Sequence, residues 1–167
     1  NKEQKMPFLP KRIGILTSAS GTVINDFQAS LSEARFAFEL FWLHVTVQGS
    51  SAKEEILQGL VRLQAVADLD AVVIIRGGGS AADLAVFNEY EVARAICLYQ
   101  LPVISAVGHQ ADQSSAQDVS FLALGVPKDV GRYFAEIVLD LRRRYRLAVQ
   151  VLQQLGVPVC AHAIARL

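Results

Sequence analysis

Apolar positions along the chain keep switching between two rhythms. Ile13-Gly14-Ile15-Leu16 is a short, nearly unbroken apolar run that ends at Thr17-Ser18, with Gly21 close behind. A parallel strand covered on both faces has this form. Residues 21–36 then change to helical spacing, with Val23, Ile24, Phe27 and Leu31 on one side. Period two returns from Glu39 to Gln48, through Phe41, Leu43, Val45 and Val47, and predicts a second strand. Residues 52–66 place Ile56, Leu60 and Leu63 on one face of an amphipathic helix. Ala71-Val72-Val73-Ile74-Ile75 is the strongest strand and stops at the glycines 77–79. A helix carrying Leu84, Phe87, Val92, Ala95 and Ile96 is expected next, capped by Ser80 or Asp83. Pro102 introduces a fourth strand, Val103 to Val107, which ends at Gly108-His109.

Strands alternating with helices predict an α/β fold, a Rossmann-like open parallel sheet of about four strands with flanking helices and right-handed crossovers. Past residue 112 the rhythm changes. Residues 113–124 read as helix, broken by Gly125-Val126-Pro127. From Asp129 a long helix carries Arg142-Arg143-Arg144 and Arg146, then Leu147, Val151, Leu152 and Leu155. That segment reads either as a solvated amphipathic helix or as the base of a coiled coil interrupted by Gly156 and Pro158. The expected organisation is therefore a linker or tag remnant over 1–11, an α/β domain over 12–127 and a C-terminal helical extension over 128–167. A start at Asn1 suggests a fragment excised from a larger cytoplasmic protein.

Composition narrows the class. With 52% hydrophobic and 19% charged residues among 167, the chain can bury a real core and is no disordered protein. Lys and Arg total 16, as do Asp and Glu, so there is no basic excess of the kind an autonomous nucleic-acid binder uses to neutralise phosphates. Any action on nucleic acid must rest on local contacts or on another domain or subunit. Cys97 and Cys160 form no C-x-x-C pair and no disulfide framework, and read as reduced and buried. No run reaches the roughly 18 uncharged apolar residues of a membrane span, and no signal peptide is evident.

Candidate chemistry gathers at the strand ends. In an open parallel sheet, ligands bind beyond the carboxyl ends of the strands, where Thr17-Ser18, Arg76 to Ser80 and Gly108 to Asp112 all fall. Gly77, Gly78 and Gly79 allow close backbone approach, so successive N–H groups can form an anion-binding nest before a helix. Arg76 adds a planar cation that matches two phosphate oxygens, and Ser80 caps the helix or donates to the anion. A plain strand-to-helix turn with Arg76 in solvent stands beside that reading. The segment matches neither G-x-x-x-x-G-K-[ST] nor G-x-G-x-x-G. His109 can exchange protons near neutral pH, and Asp112, three residues on, can orient it. Asp26 either reaches the same rim or is a first-turn carboxylate favoured by the helix dipole. Thr17 and Ser18 either donate to phosphate or cap the first helix. Neither a G-x-S-x-G elbow nor a metal-ligand cluster is present.

In order along the chain, Lys11 to Ser18, Asp26, Val47-Gln48-Gly49, Arg76 to Ser80, Asp83-Leu84, Phe87-Asn88-Glu89, Val92 to Ile96 and Pro102 to His109 resemble the large subunit of exonuclease VII. These blocks span residues 11 to about 118, and their order makes the likeness specific. The resemblance implies a bacterial enzyme that hydrolyses single-stranded DNA to oligonucleotides, with Asp26, Arg76, His109 and Asp112 as its functional residues. It also implies an N-terminal OB-fold and a coiled coil that gathers small subunits in the full-length protein. No cofactor is implied as obligatory; a divalent metal such as Mg is compatible with the reading. Two departures stand out. The family pattern Gly-His-Glu-Thr-Asp reads Gly108-His109-Gln110-Ala111-Asp112 here, and the family's Arg-Ala-Pro-Thr-Pro-Ser-Ala-Ala-Ala-Glu run is replaced by Leu124 to Asp129. Two rival readings follow: an inactive paralogue serving as a DNA-binding or assembly module, and an enzyme acting on a phosphorylated small molecule.

Overall fold

A computed structural model of the chain describes residues 1–18, 21–47, 49–77, 81–107 and 114–157, with only the backbone of 81–84. The apolar runs become strands β1 (Arg12–Thr17), β2 (Glu39–His44), β3 (Ala71–Ile75) and β4 (Val103–Ala106). A fifth, β5 (Leu122–Ala123), lies in the stretch expected to be helical. All pairings are parallel, in the order β2-β1-β3-β4-β5. The fold is thus a Rossmann-like α/β sheet flanked by helices, of five strands rather than about four.

Continuous apolar strands follow from burial on both faces. Val72 and Ile74 of β3 join one core with Leu16, while Ala71, Val73 and Ile75 join the other with Ile13 and Ile15. Helix α1 (Gly21–Ser32), between β1 and β2, packs Val23, Phe27 and Leu31 on the second face. Helix α2 (Ala52–Gln64), between β2 and β3, lays Ile56, Leu60 and Leu63 on the first. The chain moves outward from β1 to β2, then back past β1 to β3. Crossovers of one hand must change face when they change direction, and these do.

Several boundaries differ from the pattern, for identifiable reasons. β2 stops at His44 although period two runs on, because its neighbour β1 ends at Thr17, whose carbonyl accepts the last bond, from Val45 N–H. Helix α1 ends at Ser32 instead of 36: Ser30 and Ser32 donate their hydroxyls to carbonyls one turn back, and Arg35 takes φ +47°. The segment after the glycine run forms a 3-10 helix (Ala81–Asn88) and then α3 (Tyr90–Cys97), not one continuous helix. The expected helix over 113–124 shrinks to α4 (Ser115–Val119), followed by β5.

The long helix α5 (Pro127–Gln154) starts with proline in its first turn, where no N–H partner is lost. Val130 and Phe134 complete the core beneath α1, so α5 is rooted in the α/β core from its first turns. Gly131 lets α5 approach α1 closely: a Cβ there would fall on the Phe27 carbonyl oxygen and on Ser30 Oγ. Arg142 donates to the carbonyls of Ala34 and Arg35, satisfying chain ends just past α1. Part of the basic run therefore serves as a helix-end clasp. At the amino end of the chain, Asn1 donates to the carbonyls of Tyr99 and Leu101 and accepts from Val103 N–H. Lys11 and Arg12 N–H both donate to Asp70.

Candidate functional site

The register fixes what the carboxyl rim brings together. Thr17 pairs with Ile75, and Ile75 with Ala106, so β1, β3 and β4 end side by side. Arg76 N–H donates to the Ala106 carbonyl at 3.1 Å, carrying the β3–β4 pairing one residue further. The direction of winding reverses between β1 and β3, which opens a crevice where the two connections diverge. The rim segments of β1 and β3 flank that crevice.

Arg76 sits at the end of the central strand and is only 5% exposed. Burial separates it from the solvent-facing turn that spacing alone allowed. A guanidinium taken out of water needs hydrogen-bonding or ionic partners, and its charge is felt more strongly there than at the surface. Gly77 follows, half-buried. Thr17 is fully buried, and its hydroxyl donates to the Ser18 carbonyl at 3.2 Å. Ser18 is half-buried. Thr17, Ser18, Arg76 and Gly77 thus share one stretch of rim. Asp26 is exposed on α1, five residues from Gly21 and so about 7.5 Å along the helix from its rim end. Gly78, Gly79, Ser80, His109 and Asp112 lie outside the described residues.

Further side chains brace the rim. Glu55, on α2, accepts from Thr46 N–H at 2.6 Å and holds the turn after β2. That backbone bond, with weaker ones from the Thr46 and Ser51 hydroxyls, keeps the Glu55 carboxyl below its ordinary pKa. Lys53 lies 3.7 Å from Glu91 and 4.0 Å from Glu89, exposed pairs of little energetic weight. Asn88, at the end of the 3-10 helix, accepts from Ser115 N–H at 2.9 Å. Ser114 and Gln117 form a buried capping box at the start of α4. The Ser-x-x-Gln spacing is itself the signal of such a box; the contact of Asn88 could not be read, since its partner is 27 residues away.

Away from the rim, a hollow of about 270 Å³ beside the start of β2 is lined mainly by Leu31, Phe36, Phe38 and Leu40. It offers little chemistry. Among the described residues no three His, Cys, Asp or Glu side chains gather as metal ligands, and no helix is long and apolar enough to cross a membrane.

Residues 1–157 match the family model described as exonuclease VII, large subunit. A Thermotoga maritima protein named exodeoxyribonuclease 7 large subunit is 31% identical over 92% of this chain and 42% of its own length. Proteins of the same name from Lactobacillus johnsonii and Streptococcus pneumoniae are 38% and 43% identical. They are covered over 34% and 26% of their lengths, and cover 89% and 71% of this chain. The chain therefore spans less than half of each of these relatives. Among solved structures, Treponema denticola PurE superposes with a TM-score of 0.46 at 11% identity, covering 86% of this chain and 97% of that one.

Proposed function

Since the chain belongs to the exonuclease VII large-subunit family, we propose that it forms the catalytic α/β domain of an exodeoxyribonuclease that cuts phosphodiester bonds of single-stranded DNA into oligonucleotides. One observation carries the reading: a buried Arg76 at the carboxyl end of the central strand, beside the point where the winding reverses. Arg76 and the backbone N–H groups of the glycine run hold the scissile phosphate and offset the charge that develops on its oxygens. Water attacks phosphorus and the bond to the leaving sugar oxygen breaks. His109 takes the proton of the water or gives one to the leaving oxygen, with Asp112 orienting the ring and Asp26 positioning water. Thr17, Ser18 and Ser80 supply further donors toward the phosphate.

The balance of 16 basic and 16 acidic residues supports a division of labour, with most DNA affinity outside this chain. The rest of the full-length protein supplies it, together with small subunits gathered on the coiled coil that continues from the C-terminal helical extension. The setting is the bacterial cytoplasm. The Gln110-Ala111 departure supports a second reading, in which the fold persists without turnover as a binding or assembly module.

Incubating the full-length protein and its small subunit with end-labelled single-stranded DNA, with and without chelator, separates the two. Arg76→Ala and His109→Ala are expected to slow hydrolysis by roughly 10²–10⁴ while thermal melting shows that both fold. Absence of product from the wild type, or undiminished product from both variants, refutes the nuclease mechanism.

A further inference from the structure

We infer that Arg143 and Arg146, on the part of α5 that leaves the domain, form with Arg35 a second contact for the phosphates of single-stranded DNA, an inference resting on the substrate proposed above. Residues 141–157 hold four arginines and no carboxylate, in a chain of zero net charge. The rest of the chain is therefore net acidic, and positive charge is gathered here. Arg143 and Arg146 are exposed and three residues apart, so they are neighbours on one helix face. Arg142 donates to the Arg35 carbonyl at 3.1 Å and so brings the exposed Arg35 to the same end of the domain. Among the described residues Arg35, Arg143 and Arg146 form no ion pair. The neighbouring carboxylate Asp140 is engaged by Arg144 at 2.7 Å. Glu33, two residues before Arg35, and Glu136, two turns before Arg143, offset part of the field and leave it positive.

Helix α1 starts at the rim, and its 12 residues carry the chain about 18 Å away from it, toward the carbonyls that Arg142 holds. The patch thus lies at the opposite end of the sheet from Arg76. A small phosphorylated ligand reaches one or the other; a polyanion lying along the domain reaches both. A duplex is stiff over about 150 bp, whereas a flexible single strand can follow the surface from rim to patch. Tyr145 is half-buried and two residues on from Arg143, which turns it to the far side of the helix. The face offers cations and no stacking platform, so it holds phosphates without regard to base sequence.

The test uses full-length protein assembled with its small subunit and a long single strand. Arg35→Gln/Arg143→Gln/Arg146→Gln is expected to raise KM about tenfold, with kcat and melting temperature unchanged. The slope of log kcat/KM against log salt becomes shallower by about 2, or roughly 0.7 for each lost contact. Arg35→Lys/Arg143→Lys/Arg146→Lys keeps the charges and is expected to keep KM and slope near wild type. Wild-type KM and slope in the glutamine variant overturn the inference. So does an unchanged slope with an altered assembly size in sedimentation, which assigns the patch to a protein partner. If Arg76→Ala and His109→Ala abolish hydrolysis while the glutamine variant matches wild type, only the second contact falls. A wild type without hydrolysis overturns the nuclease mechanism; the salt slope of labelled single-strand binding, read by anisotropy in the same variants, then decides the patch by itself.

Discussion

Replacing Gly131 by alanine tests how closely α5 lies on α1. The added Cβ would meet Ser30 Oγ and the Phe27 carbonyl oxygen and would lie 3.0 Å from Leu31 N. A hydroxyl can turn away, but a helix carbonyl cannot, so α5 must retreat and loosen Val130 and Phe134 against Phe27 and Leu31. Overpacking of this kind costs about 1–3 kcal/mol. The better helix propensity of alanine returns up to about 1 kcal/mol. Because the obstacle is a backbone carbonyl, the upper part of the overpacking range applies, and a net loss of about 1–2 kcal/mol remains, or roughly 2–8 °C in melting temperature for a chain of this size. Thermal and urea unfolding of Gly131→Ala measure it. Removing the hydroxyl as well, in Ser30→Ala/Gly131→Ala, is expected to recover only a minor part, because the carbonyl still stands in the way. An unchanged or raised melting temperature, or full recovery in the double variant, would refute backbone contact between the helices.

Two other perturbations probe the core. The Tyr99 phenol donates to the Leu60 carbonyl at 3.0 Å, and burial pushes its pKa up to about 12. The folded state then holds this proton more tightly than the unfolded chain, whose phenol titrates near pH 10. Stability from this group is complete below pH 10 and is lost as pH rises through 12; Tyr99→Phe should flatten that slope in alkaline melting curves, at about 1 kcal/mol lost near neutrality. Ser105 Oγ is buried without a hydrogen-bond partner among the described residues. Ser105→Ala should leave stability unchanged or raise it by up to about 1 kcal/mol, and a loss above about 1 kcal/mol in urea unfolding would reveal an unsuspected partner.

Where local sequence determines structure, the pattern read true. Ala71 to Ile75 forms its strand because every residue is apolar and both faces are covered. Ile56, Leu60 and Leu63 define α2 because one helical stripe meets one core. β5 escaped because two residues, Leu122 and Ala123, become a strand only through pairing with Ile104 and Ser105. The end of β2 was hidden in β1, and the role of Arg142 in carbonyls more than 100 residues earlier. Of the site, spacing proposed that three strand ends share a rim, and the register places β1, β3 and β4 side by side. That Arg76 would be buried could not be read, since arginine is mostly an exposed residue and is rarely fully buried.

The helix α5 is 28 residues long and so reaches about 42 Å. Its root is clamped from Val130 to Val138, while beyond that only Val149 among its described residues is buried. A rod held at one end is a lever. Whatever grips the far end would apply torque at the Gly131 crossing, where α5 lies against the Phe27 carbonyl and the Ser30 hydroxyl. The load passes into α1, whose first residue follows closely on Thr17 and Ser18. A pull on the free end of α5 would therefore be felt first where α5 crosses α1.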